Sequence, residues 1–318
     1  MLRFIGRRLL QMIPILLIVA VLIFTLMEFV PGDPVEIMLG NTATPQQVEE
    51  ARERLGLNDP FFVRFFSFMK NAVRLNFGES YMTGTSVGAE LLQRFPRTLT
   101  IASLSILVTI TIGIPIGIQC AIHADKLSDR IWLFITLLAN SMPSFWLALL
   151  LVLLFSLKLK LLPSNGSGGL KYYILPVIAS SMGSLASIAR QTRASMLEVI
   201  RADYITTAKS KGLSQRNIIM KHALPNALIP IITVIGAQFS FLLGGTTVIE
   251  SVFSLPGIGL YIINGISNRD YPIVRGGIMY IAITFSVLML LIDIIYAFAD
   301  PRIKAQYAAP KKKAANKS

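Results

Sequence analysis

Enzymatic chemistry needs a nucleophile beside a base, a set of metal ligands or a glycine-rich phosphate cradle, and this chain shows none at a workable spacing. The patterns GxxxxGK[ST] and HExxH do not occur. His123 and His222 stand far apart, and neither belongs to a metal or catalytic set. Cys120 is the single cysteine, which excludes an intrachain disulfide and an all-cysteine metal site. It sits in an apolar run, where a thiol behaves as a small buried hydrophobe. Glu28 and Asp293 lie within a turn or two of the ends of apolar runs, where a structural hydrogen bond is expected rather than a proton relay. The stretch with a distinctive pattern is 203–225, DYITTAKSKGLSQRNIIMKHALP, and its residues suit a docked helix rather than covalent chemistry.

In that stretch Asp203 is placed to cap a short helix whose apolar contacts Tyr204, Ile205 and Ala208 fall on one side, with Lys209 and Lys211 near its negative C-terminal end. Gly212 supplies the stop, because glycine takes the left-handed cap conformation at little cost. Leu213 then folds back on the preceding turn and Ser214 caps a second helix, SQRNIIMKHAL. A helix of about nine residues is marginal alone in water, so something outside the bilayer must hold it.

The surroundings are membrane-grade. The 318 residues are 53% hydrophobic and 15% charged, too apolar for an ordinary soluble domain. The net charge of +13 does not indicate nucleic acid, since the basic residues flank apolar spans and are not interleaved with aromatics. Arg3, Arg7 and Arg8 precede an apolar run that ends in PGDP rather than a small-residue cleavage site, which predicts an uncleaved first transmembrane helix. Further spans are expected at about 99–122, 131–157 with a bend at Pro143, 173–189, 227–249 and 277–299. The fourth, rich in Ser, Ala and Gly, reads as a bundle-interior helix. Between the first two spans, TPQQVEEARERLGL reads as a capped polar helix and FFVRFFSFMKNAVRLNFG as an amphipathic one, its aromatics packing an outer subdomain onto the bundle. The basic end, 301–318, reads as a disordered tail.

Six spans place both termini on one side. That side collects eighteen Lys and Arg against twelve on the other, and seven of the twelve lie in the long first loop, where they weigh less on orientation. Both termini and the 190–226 loop are therefore expected in the cytoplasm.

At this point the chain resembles the permease subunits of ABC importers for dipeptides, oligopeptides, glutathione and nickel. Ala208, Gly212, Leu224 and Pro225 match the spacing of that family's Glu-Ala-Ala cytoplasmic loop, while Thr206, Thr207 and His222 depart from it. PGDP at 31–34, FPRTL at 95–99, SMP at 141–143, FSLPGIG at 253–259, RDYPIV at 269–274 and DPRI at 300–303 extend the resemblance along the chain. It implies an all-α integral membrane protein of the type I ABC importer permease fold. The expected organisation is an N-terminus with the first helix (1–30), an extracytoplasmic subdomain (31–94), a core (95–300) and the tail (301–318).

The implied partners are a second permease subunit, two cytoplasmic ATPases that carry ATP and magnesium, a solute-binding protein outside and membrane lipid. This chain itself would bind no cofactor. The coupling positions implied are Asp203, Tyr204, Ala208, Gly212, Leu224 and Pro225. Gly244, Gly245, Thr246 and Thr247 could line the passage, although close helix packing explains them as well. Glu250, Arg269 and Asp270 are placed to dock the binding protein, on position alone. Arg190, Arg193 and Arg201 serve either as interfacial anchors or as salt-bridge partners of the ATPases. Rival classes are a nickel importer of the same build, a secondary transporter and an intramembrane enzyme. The last two would need ionisable groups or ligands within spans.

Overall fold

The computed structural model describes residues 2–40 and 43–299, so the expected tail at 301–318 lies outside the described residues. Helix α1 (Leu2–Glu28) ends ahead of the PGDP break, where Gly32 takes φ +99° and Asp33 caps α2 (Pro34–Leu39) by accepting from Val35 N at 2.8 Å. Helix α3 (Pro45–Arg54) carries a capping box, with Thr44 Oγ1 accepting from Gln47 N and Gln47 Oε1 accepting from Thr44 N. Arg52 reaches back to Asp33, and hydrogen bonding to that carboxylate raises its guanidinium above the ordinary pKa. Helix α4 (Phe61–Ala72) sets Phe61, Phe65 and Phe68 around Phe24 of α1, at ring-centroid distances of 5.3, 5.5 and 5.9 Å. The aromatic face therefore fastens α4 to the bundle, leaving Phe62 and Phe66 exposed.

Helix α5 (Val87–Ile122) begins well before the expected residue 99. At 36 residues it is about 54 Å long, and so projects beyond a hydrocarbon core of about 30 Å. The expected third span at 131–157 is broken into α6 (Leu127–Ser141) and α7 (Ser144–Leu151, extended by a π-helical stretch to Lys158), whose axes differ by 95°. Pro143 has no N–H to continue the ladder, and Met142 before it is extended at φ −85°, ψ 124°. Among the described residues, five helices are thus long and apolar enough to cross a membrane, or six if the bent pair counts as one.

Helix α8 (Lys171–Ile200) is the interior helix, with more than half of its most apolar window buried against a third or less for the other continuous spans. Its approach to α5 is set by glycine: a Cβ on Gly117 would stand 2.6 Å from Ala189 O and 2.5 Å from Thr192 Cβ. After α9 (Asp203–Ser210), the chain runs through α10 (Gln215–Asn217), a π-helical turn (Ile218–Ala223) and α11 (Leu224–Val252) as one continuous rod. The amphipathic α12 (Ile258–Ser267) and the last span, α13 (Tyr271–Ala299), which starts before the expected 277, complete the order.

Candidate functional site

The short helix α9 is held by its own chain. Ile205 is fully buried and Ala208 nearly so, in one cluster with Met196 of α8 and with Ile218, Ile219 and Ala223 of the π-helical turn. This supplies the docking surface outside the apolar spans that so short a helix requires. Asp203 does not cap it: Ala202 occupies the cap position, and Asp203 is the first helical residue, where its charge suits the helix dipole. Tyr204 does not share the face of Ile205 and Ala208, and is 44% exposed.

The end of α9 is a Schellman motif. Leu213 N donates to Ala208 O at 3.4 Å and Gly212 N to Lys209 O at 3.0 Å, with Gly212 at φ +73°. A Cβ on Gly212 would meet nothing within 4 Å, so glycine is required there by backbone conformation and not by crowding. Ser214 Oγ accepts from Asn217 N at 3.4 Å and caps the rod that follows. Pro225, lacking an N–H, is accommodated by the wider turn before it, in which Leu224 N donates to Ile219 O. Asn226 Nδ2 adds a bond to His222 O at 2.8 Å. Of the six coupling positions, Asp203, Tyr204, Gly212 and Pro225 are exposed, while Ala208 and Leu224 pack inward.

The adjoining helix ends are tied by Arg193, which donates Nε to Asp129 Oδ1 at 2.8 Å and Nη2 to Asp129 Oδ2 at 2.6 Å. Asp129 is 1% exposed and also accepts from Asp125 N. Arg193 is therefore engaged inside the chain, leaving Arg190 and Arg201 exposed. Glu28 and Asp293 have partners of the expected structural kind, Arg64 at 2.6 Å and Arg8 at 3.1 Å.

A groove of about 600 Å³ runs between the bent α6–α7 pair, α8 and α11. Small and polar residues such as Asn140, Ser187, Gln238 and Gly245 line it together with large apolar ones such as Met182 and Phe241, and Arg190 is the charged one among the described residues. Ser184 Oγ donates to Gln238 Oε1 at 2.9 Å and Gln238 Nε2 to Ser187 Oγ at 3.3 Å, which joins α8 to α11 beside it. Of the four expected lining residues only Gly245 borders this groove. Gly244 faces open space, Thr246 is buried, and Thr247 backs onto Gly259, whose Cβ would stand 2.4 Å from its Cα.

On the opposite face, Glu250 and Asp270 are both fully buried, so neither offers a docking surface. Glu250 serves as a cap supplied from another helix. The N-cap position of α12 is Gly257, with no side chain to accept from the first turn. Glu250 Oε2 accepts from Leu260 N at 3.0 Å, while Thr98 Oγ1 accepts from Ile258 N at 3.0 Å and donates to Glu250 Oε1 at 2.7 Å. Thr246 Oγ1 donates to the same oxygen at 3.2 Å. A Cβ on Gly257 would lie 2.3 Å from the Glu250 carboxyl carbon, which explains the glycine of the PGIG segment. Asp270 accepts from Ser80 Oγ at 2.5 Å and from Met82 N at 3.3 Å, clamping the segment before α5 to the start of α13. Burial raises the pKa of Tyr81 beside this clamp. Arg269, half-buried at φ +53°, lays its guanidinium over Gly32. The sequence signal for Glu250 was available: an acid at the edge of an apolar run ahead of PGIG needs donors, and a glycine-led helix needs an acceptor.

Two family models match the chain. The binding-protein-dependent transport system inner membrane component covers residues 113–305, and the N-terminal model of the same membrane component covers 1–102. A putative peptide transport system permease protein of Brucella abortus (strain 2308) is 39% identical over 306 residues, 94% of this chain and 98% of that protein. The glutathione transport system permease protein GsiC of Escherichia coli (strain K12) is 37% identical over 304 residues, 96% and 99% of the two chains. Among solved structures, the inward-facing MetNI methionine ABC transporter aligns at TM-score 0.55 and 18% identity, over 66% of this chain and 96% of that one. A second crystal form of MetNI aligns at TM-score 0.57 and 17% identity. These likenesses give the fold, that of a type I importer permease, and the sequence matches give the membership: the chain belongs to the binding-protein-dependent transport system inner membrane component family, as a multi-pass permease subunit.

Proposed function

We propose that residues 203–225 receive work from separate cytoplasmic ATPases, which bind ATP and magnesium, and that the chain forms one half of a passage for di- and oligopeptides. The observation that carries this is α9, a short helix fixed to α8 and α11 by its own buried face, with Asp203, Tyr204, Thr207 and Lys211 exposed. A helix seated this firmly passes a push to two spans at once, whereas a mobile one would absorb it. The peptide and glutathione transport names of relatives at 37–39% identity support the solute class. On this reading the groove at Gly245 and Arg190 is this chain's share of the passage, completed by a second permease subunit. A binding protein delivers the solute on the face of residues 31–94, and both termini are cytoplasmic.

Reconstitution with the second permease, the ATPases and the binding protein tests this. ATP-dependent accumulation of labelled dipeptide is expected. Uptake of nickel without peptide would contradict the solute, and transport by the chain without ATPases would contradict the coupling.

A further inference from the structure

A second cleft, of about 250 Å³, opens between α1 and α13 at the end where the chain begins and α13 approaches its close. Arg8, Met12 and Ile15 recur on one face of α1, and Phe285, Met289 and Asp293 on one face of α13, so a single apolar slot ends at an ion pair. The pair is made at 3.1 Å, with side chains 42% and 29% exposed. From Arg8 to Ile15 the slot is about 10 Å long, comparable with one leaflet's hydrocarbon depth of about 15 Å.

We infer that this cleft binds one phospholipid whose headgroup carries both a phosphate and a primary ammonium, a phosphatidylethanolamine. The apolar slot takes part of an acyl chain. At its mouth the Arg8 guanidinium suits the phosphate, and the Asp293 carboxylate accepts from the ammonium. A phosphatidylglycerol headgroup would offer Asp293 only neutral hydroxyl donors and no cation, and a choline headgroup carries positive charge but no N–H. The paired charges therefore select a zwitterion that can hydrogen-bond at both ends.

The test is native mass spectrometry of the full chain, copurified with its partner subunits, from nanodiscs holding equal phosphatidylethanolamine, phosphatidylcholine and phosphatidylglycerol. Phosphatidylethanolamine should be retained about tenfold over either rival, one charge-assisted hydrogen bond being worth roughly that factor at a half-exposed site. Asp293→Asn should lower its retention to that of phosphatidylcholine. Ile15→Trp, on a surface 53% exposed and so tolerant of size, should fill the slot and reduce retention of all three lipids. Equal retention in the native chain, a preference unchanged by Asp293→Asn, or efficient crosslinking of Ile15→Cys to the second permease subunit would overturn the inference.

Discussion

At the residue scale the chain is organised by a few groups whose work is structural. Glu250 and Thr98 replace the missing cap of α12, so Glu250→Ala leaves buried donors without acceptors and should destabilise by about 1–3 kcal/mol, read as a lower unfolding midpoint in detergent. Glu250→Gln keeps an acceptor and should lose less. Glu250→Ala and Thr98→Ala together should cost less than their sum, because they share one network. Asp129→Asn takes the carboxylate from a partly exposed Arg193 and should cost about 1–3 kcal/mol, with partial recovery in the Asp129→Arg, Arg193→Asp double variant. The sequence made Gly212 and Ser214 legible because caps are local chemistry. It did not make the roles of Asp270 or Arg193 legible, because their partners lie 64 to 190 positions away along the chain.

At the scale of elements, the spacing of apolar runs gave the spans, and steric chemistry set their ends and bends. Pro143 was readable as a bend, but its size, 95°, depends on how α6 and α7 pack on α8. The small residues of α8 were readable as an interior helix, and the packing grades them. A Cβ on Gly113 comes no closer than 3.2 Å to Leu185 O, whereas one on Gly117 comes to 2.5 Å. Gly113→Ala, which asks for a shift of only a few tenths of an ångström, should therefore cost less than Gly117→Ala, which forces α5 from α8 at about 1–3 kcal/mol, with reduced expression of folded protein by gel filtration. The α9 helix shows the limit of periodicity. Counting placed Tyr204 with Ile205 and Ala208, yet the buried stripe is narrower and leaves Tyr204 exposed, because the facing surface is only the end of α8 and one π-helical turn.

At the scale of the whole molecule, the charge asymmetry supports the proposed topology, in which both ends and α9 lie on one side. In a Cys120→Ser background, cysteine at Lys211 should react with an impermeant thiol reagent only from the cytoplasmic side, and cysteine at Lys70 of α4 only from outside. Labelling of both from one side would contradict the topology. The central claim is that α9, held by the Gly212 turn, carries work between the ATPases and the spans. Gly212→Ala adds a Cβ in open space but strains a φ of +73°, a local cost of about 1 kcal/mol, whereas Gly244→Ala meets open space without positive φ and serves as control. The decisive measurement is ATP hydrolysed per peptide imported in proteoliposomes of the complete transporter. The account predicts that Gly212→Ala assembles normally yet raises that ratio severalfold with loss of uptake, while Gly244→Ala matches the native chain; a native ratio in Gly212→Ala would contradict it.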